Sequence, residues 1–287
     1  MNDMANIIDG KKIANNISEE LKNKISLLSS NGKDIVLSII QVGDDKAATI
    51  YKNSKIKKCN EFGIKVKEYN FEEKVSNDEI IDLIHKLNDD KEITGIFMEM
   101  PLPSHLDKKR LINEISYQKD VEGITDKNLG NIYNDNNGIL PCTANSVYKL
   151  LKHENIELVG KNIVIMGRSN IVGKPLSLIL LNENATVTIC HSKTKDIKDI
   201  TKKADILVVA INKDRFVDSS FIKDGAVVVD VGIHRNQVDG EKITTGDVNY
   251  EEIEKHTSYI TPVPGGVGPM TVVMLISNLV LSKELYG

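Results

Sequence analysis

Cysteine is scarce in this chain: Cys59, Cys142 and Cys190 are odd in number, widely spaced and form no CxxC pair. That pattern excludes a disulfide framework and a structural zinc site, and it suits a reducing compartment. Blocks of basic residues are also missing. Lysines alternate with acids and the net charge is -4, so there is no electrostatic ground for a nucleic-acid partner. The first ten residues lack a basic stretch followed by an apolar core, so no secretory signal is expected and the cytoplasm is the expected location. The longest apolar stretch, from Val267 to Leu281, is interrupted by Pro269, Thr271, Ser277 and Asn278. It is too short to cross a bilayer and reads as a buried helix. No repeat or low-complexity tract stands out. What is present is an enzyme-like composition, 40% hydrophobic and 27% charged over 287 residues, a length that favours two lobes sharing a cleft.

The hydrophobic periodicity alternates between strand and helix. A helix from about Gly10 to Leu28 precedes the β-branched run Ile35 to Val42, the signature of a buried parallel strand. A helix from Ala47 to Phe62 ends at Gly63, and Ile64 to Tyr69 reads as the next strand. Ser76 and Glu79 open a third helix, to Asn88, with a capping box, and Ile93 to Met98 is a strand. The Asn- and Gly-rich stretch from Asn128 to Gly138 has no apolar period and reads as a loop, with a domain boundary just beyond it. A second lobe follows with helices over 143–152 and 171–181 and strands over 162–166, 186–189, 206–210 and 226–231, a rhythm that implies a parallel sheet with right-handed crossovers. The last helix, over 270–285, has no strand after it and can return to the first lobe. The expected architecture is α/β: a domain over 1–141 completed by 269–287, and a Rossmann-like domain over 142–268.

The strongest local signal is KNIVIMGRSNIVGKP, Lys161 to Pro175, where an apolar strand meets Gly167, turns, and enters a helix near Gly173. Such a turn aims backbone N–H groups at a diphosphate. It is not the full GxGxxG fingerprint, because Ser169 takes the second glycine position, and an ordinary βα turn is the alternative. The following strand discriminates. NAD-specific sites place an acid at its end, whereas here it ends Cys190-His191-Ser192-Lys193. Ser192 can donate to a 2′-phosphate and Arg168 can pair with one, so the cofactor indicated is NADP.

In the first lobe, Tyr51 and Lys55 lie four residues apart on one helix face, able to stack a planar substrate and shuttle a proton, or merely a half-exposed surface. Glu99 ends the strand GIFMEM before Pro101-Leu102-Pro103, at the carboxyl end where α/β enzymes place their sites. Glu122, in KDVEG, adds a second acid. The segment TPVPGGVGPMT, Thr261 to Thr271, makes a stiff turn whose bare backbone can approach a ligand, or can serve as a structural turn between lobes.

Taken in order, YKNSK, MEMPLP, KDVEG, GRSNIVGKP, ATVTICHSKT, DILVVA, GDV and TPVPGGVGPMT resemble the bifunctional methylenetetrahydrofolate dehydrogenase/methenyltetrahydrofolate cyclohydrolase (FolD) family across nearly the whole chain. The resemblance implies a homodimer, with two α/β domains around a cleft. It also implies oxidation of 5,10-methylenetetrahydrofolate by NADP and hydrolysis of the methenyl product to 10-formyltetrahydrofolate, with no metal. By that resemblance Lys55 is the catalytic amine of the hydrolytic step, with Glu99 and Glu122 beside it. Tyr51 orders the folate with Glu99, Pro264, Gly265 and Gly266 border the substrate, and Gly167, Arg168, Ser169, Ser192 and Ile233 hold NADP.

Three positions depart from the family pattern, all at the folate end. Glu99 stands where VQLPLP has Gln, Glu122 replaces the shorter acid of KDVDG, and Ala48 replaces a Ser three residues before the Tyr. A carboxylate within reach of Lys55 would favour its ammonium form and make it a poorer base, slowing hydrolysis or moving its optimum to higher pH. A protonated Glu99 would instead behave much as Gln does. A dehydrogenase that has lost the hydrolytic step and a non-catalytic dinucleotide-binding module are the alternative readings.

Overall fold

The computed structural model describes residues 5–136, 138–238 and 241–287. In chain order the first elements are β1 (Asn6–Ile7), α1 (Gly10–Ser30), β2 (Val36–Val42), α2 (Lys46–Glu61), β3 (Lys65–Phe71), α3 (Asn77–Asp89), β4 (Gly95–Met98), α4 (Lys108–Glu114) and α5 (Asp126–Tyr133). The rest are α6 (Cys142–His153), β5 (Asn162–Met166), α7 (Gly173–Asn182), β6 (Thr186–Cys190), α8 (Ile197–Thr201), β7 (Ile206–Val209), β8 (Ala226–Asp230), β9 (His234–Val238), β10 (Glu241–Thr245), α9 (Tyr250–Ile253), β11 (Thr257–Ile260) and α10 (Val267–Tyr286). The chain divides into two compact units, one of the described residues up to Asn16 with Thr143–Thr271, the other of Ile17–Cys142 with Val272–Gly287. Among the described residues no helix is long and apolar enough to cross a membrane.

The unit containing Ile17–Cys142 is built on a parallel sheet in the order β3-β2-β4. Every residue of the central strand β2 is buried, as its apolar composition requires of a strand covered on both faces. Ile40, Ile84, Ile96 and Leu111 form its core with α3 and α4 packed over the sheet. The capping box of α3 is present, with Ser76 and Glu79 satisfying each other's backbone N–H groups, and Gly63 takes the left-handed conformation, φ 72°, that ends α2. The carboxyl-terminal part of α10 completes this unit. Ser282 Oγ donates to Thr94 and Gln118 carbonyls at 2.9 and 2.8 Å, and Asn278 Nδ2 donates to those of Val121 and Leu140, both at 2.9 Å.

The other unit carries a six-stranded parallel sheet in the order β1-β11-β8-β7-β5-β6. From β5 the chain moves through α7 to β6 on one side, then returns to β7 on the other side of β5. The order therefore reverses between β5 and β7, and the carboxyl ends of those strands form the crevice where such sheets bind ligands. The antiparallel pair β9 and β10 extends from the carboxyl end of β8.

One expectation needs correction. The stretch expected as a loop from Asn128 is helical to Tyr133. Thr125 caps α5 by accepting from the Asn128 N–H, and the fully buried Asn128 donates to the Tyr117 carbonyl and to Asp120, so tertiary anchoring overrides weak helix propensity. Asn137, within the same stretch, lies outside the described residues, as do the first four residues of the segment read for a signal. The described residues up to Asn16 cluster by contact with Thr143–Thr271. The edge strand β1 pairs with β11, and the Lys11 N–H donates to the Gly265 carbonyl at 3.2 Å.

Candidate active site

Lys55 projects from the middle of α2 and Glu99 follows β4, where its N–H continues the ladder to the Ile40 carbonyl at 2.8 Å. The Lys55 ammonium donates to both Glu99 carboxylate oxygens at 2.8 Å and lies over the Phe97 ring, 4.6 Å from its centre. Their side chains are only 15% and 5% exposed, so little water weakens the pair. Phe97 was not anticipated, although its spacing of two from Glu99 puts both on one face of the strand. Tyr51, one turn earlier on α2, is 44% exposed. Ala48 is buried on the same helix.

Glu122 belongs to the same group of charges. Its carboxyl is pushed up to about 7, chiefly by burial and then by the charge of Asp120, while Lys55 and Lys108 act to lower it and Glu99 to raise it. The two acids of KDVEG have separate duties. Asp120 accepts from the N–H groups of Gly123 and Thr125 at 2.9 and 2.7 Å and from Asn128 Nδ2 at 3.0 Å, so it shapes the loop. Glu122 instead feels the charges of Lys55 and Glu99. Lys55, Glu99 and Glu122 are thus brought together, with Tyr51 on the same helix as the amine.

In the six-stranded unit the residues expected to hold a cofactor all follow the carboxyl ends of strands. Gly167 ends β5 with φ 120°, and a Cβ there would stand 2.2 Å from the Ala210 carbonyl oxygen after β7, so the two lips of the switch point touch backbone to backbone. A Cβ on Gly173 would meet the Gly167 carbonyl oxygen at 2.1 Å, which folds the first residue of α7 directly under the turn. Ser169 Oγ accepts from the Val172 N–H at 3.1 Å and tightens that turn. Arg168 and Ser192 are exposed beside it, and the end of β6 carries no carboxylate that would repel a 2′-phosphate. Ile233, 46% exposed, follows β8. This glycine cradle, open to solvent and flanked by a cation and a hydroxyl, fits the diphosphate and 2′-phosphate of NADP.

Gly173→Ala tests that fit. The added methyl must push the Gly167 peptide away, and a rise of about tenfold in the Kd for NADP is expected by calorimetric titration. An unchanged Kd would remove the turn from the cofactor site.

The Pro264-Gly265-Gly266 turn follows β11, with Gly265 at φ 115°. Part of its bareness serves the fold, because a Cβ on Gly266 would stand 2.7 Å from the Pro262 carbonyl oxygen. Sequence reasoning missed two further polar residues of this unit, His234 and Asp247, although GDV was a visible motif around the second.

Residues 8–122 match the tetrahydrofolate dehydrogenase/cyclohydrolase catalytic domain, and residues 141–286 match the NAD(P)-binding domain of the same family. The chain is 50% identical over 277 residues to the bifunctional FolD protein of Agathobacter rectalis, covering 96% of this chain and 98% of the relative. It superposes on the bifunctional FolD enzyme of Campylobacter jejuni with a TM-score of 0.94 at 44% identity, covering 98% and 99% of the two chains. The Trypanosoma brucei FolD enzyme, solved with NADP and an inhibitor, superposes with a TM-score of 0.92 at 34% identity over 98% of each chain.

Proposed function

The chain belongs to the tetrahydrofolate dehydrogenase/cyclohydrolase family, and from that premise we propose how its own residues divide the work. It is an NADP-dependent methylenetetrahydrofolate dehydrogenase and methenyltetrahydrofolate cyclohydrolase acting in one-carbon metabolism. NADP, when bound, supplies the hydride acceptor for the methylene carbon of 5,10-methylenetetrahydrofolate. Gly167, Arg168, Ser169 and Ser192 hold its phosphates and Ile233 gives it an apolar contact. The Tyr51 ring stacks on the planar part of the folate, and Pro264, Gly265 and Gly266 border it.

In the second step water adds to the methenyl carbon and gives up a proton to the Lys55 amine. The adduct then opens at its bond to N5. Glu122 in its acid form protonates that nitrogen, and the proton of the adduct's hydroxyl group restores Glu122. The formyl group stays on N10 and one proton passes to solvent through Lys55. The observation that carries this assignment is a Lys55 amine bonded to Glu99 at 2.8 Å and largely shielded from solvent, with a Glu122 carboxyl that feels both charges and is pushed up to about 7.

The direct test follows NADPH and the methenyl compound together. Methenyl consumed faster than its uncatalysed hydrolysis supports both activities, whereas accumulation would leave a dehydrogenase only. Glu99 tunes the second step. Both its oxygens accept from the Lys55 ammonium at 2.8 Å, and its charge helps raise Glu122. Glu99→Gln removes that charge, so the limb of the cyclohydrolase profile that depends on the Glu122 proton moves to lower pH. A limb that does not move would show that Glu99 does not act on Glu122.

The protein works as a homodimer in the cytoplasm. The dimer rests on the family resemblance, and the location on three buried free thiols. A sedimentation mass of one 31.9 kDa chain at micromolar concentration would overturn the dimer.

A further inference from the structure

Asp247, the acid of GDV, is completely buried and has no part in the chemistry above. One carboxylate oxygen accepts from the N–H groups of Ile211 and Asn212 at 2.7 and 3.0 Å. The other accepts from the Lys213 N–H at 2.7 Å and from His234 Nε2 at 2.8 Å. With Asn212 in the left-handed conformation, φ 55°, three consecutive N–H groups converge on this carboxylate, as they do in a backbone anion nest. The anion in the nest is the protein's own side chain. The carboxylate can only accept, so His234 holds its proton on Nε2 and donates it.

The place of this cluster gives it meaning. The turn 211–213 follows Ala210, whose carbonyl abuts Gly167 across the switch point between β5 and β7. Ile233 is held from both sides by the same acid. A Cβ on Gly232 would stand 2.4 Å from the Asp247 carboxyl carbon, so that backbone lies flat on Asp247, while His234 is bonded to it. The Ile233 side chain then reaches Gly268 at the start of α10, where an added Cβ would stand 3.4 Å from Cδ1. Asp247 is itself fixed, since Asp230 accepts from the N–H groups of Asp247 and Val248 at 3.1 and 2.9 Å.

We propose that Asp247 and His234 are positioning residues for NADP, which set Ile233 and the 211–213 turn around the switch-point crevice through one shared carboxylate. The proposal rests on reading that crevice as the NADP site. Neither residue touches the reacting atoms. They act through the shape of the surface that receives the cofactor, so their loss should weaken NADP and leave the folate end untouched.

The test uses the full chain with His234→Leu, which removes the donor, and His234→Gln, whose amide can still donate to Asp247. Titration calorimetry with NADP, both Michaelis constants and the cyclohydrolase rate are measured on each. His234→Leu is expected to raise the Kd and KM for NADP about tenfold, with the KM for methylenetetrahydrofolate and the cyclohydrolase rate within about twofold, and His234→Gln is expected to recover most of the loss. An unchanged Kd in His234→Leu overturns the proposal. So does a comparable rise in the folate KM with a comparable fall in the cyclohydrolase rate, which would make the pair a general support of the fold. If His234→Leu does not fold, His234→Asn, whose shorter side chain holds its donor back from Asp247, takes its place with the same expected split. Failure of the wild-type chain to bind NADP would instead refute the cofactor site itself.

Discussion

Lys55→Met is expected to lower the cyclohydrolase rate about a thousandfold while NADP reduction falls less than about tenfold. The thioether matches the length of the lysine stem but cannot take a proton from water. Hydride departure from the methylene carbon asks for no base, so the two activities separate in one variant. A single replacement is not clean, because it leaves the Glu99 carboxylate buried without its partner, a change that costs about 3–5 kcal/mol when the lost pair is well enclosed. The double variant Lys55→Met with Glu99→Gln removes both charges and keeps the volume. Loss of both activities in that folded double variant would mean that Lys55 binds folate rather than moving a proton.

Glu122→Gln should lower hydrolysis about a hundredfold and also remove a break in its pH profile. The Glu122 carboxyl is held at about 7, so below that pH it carries the proton that the departing nitrogen needs and above it the proton is gone. Wild-type hydrolysis therefore falls as pH rises through about 7, and the amide, which does not titrate, abolishes that limb. The same proton has a stability signature. Glu122 is raised from 4.5 to about 7 in the folded protein, so between those values the native state keeps a proton that the unfolded chain releases. Its contribution to stability is then lost as pH rises across that window, and Glu122→Gln should flatten the dependence of the urea midpoint between about pH 5 and about pH 8. A break that survives in Glu122→Gln would assign the titration to another group.

The elements that sequence reasoning found were those whose local pattern and tertiary role agree. Buried β2 is an unbroken apolar run, α3 carries its own capping box, and Gly63 closes α2 in the one conformation that favours glycine. The elements it missed depend on partners far away in sequence. β1 is two residues long with both side chains exposed and exists only because β11 pairs with it. α5 has loop-like composition and is held by Thr125 and by Asn128 bonding to Tyr117 and Asp120. The site divides in the same way. Gly167, Ser192, Lys55 and Glu99 sit at strand ends or on a helix face that a periodic reading locates. Phe97 was available from strand alternation and was overlooked. The link from His234 to Asp247 spans thirteen residues and the β9–β10 pair, and no local spacing announces it.

The way the termini are used has a consequence for synthesis. β1 finds its neighbour only in β11, and Asn278 and Ser282 of α10 cap the backbone of the unit that begins at Ile17. As the chain leaves the ribosome, therefore, neither half can close early. Each keeps unpaired backbone until the segment carrying β11 and α10 has emerged, the exposed condition that favours misassembly in nascent chains.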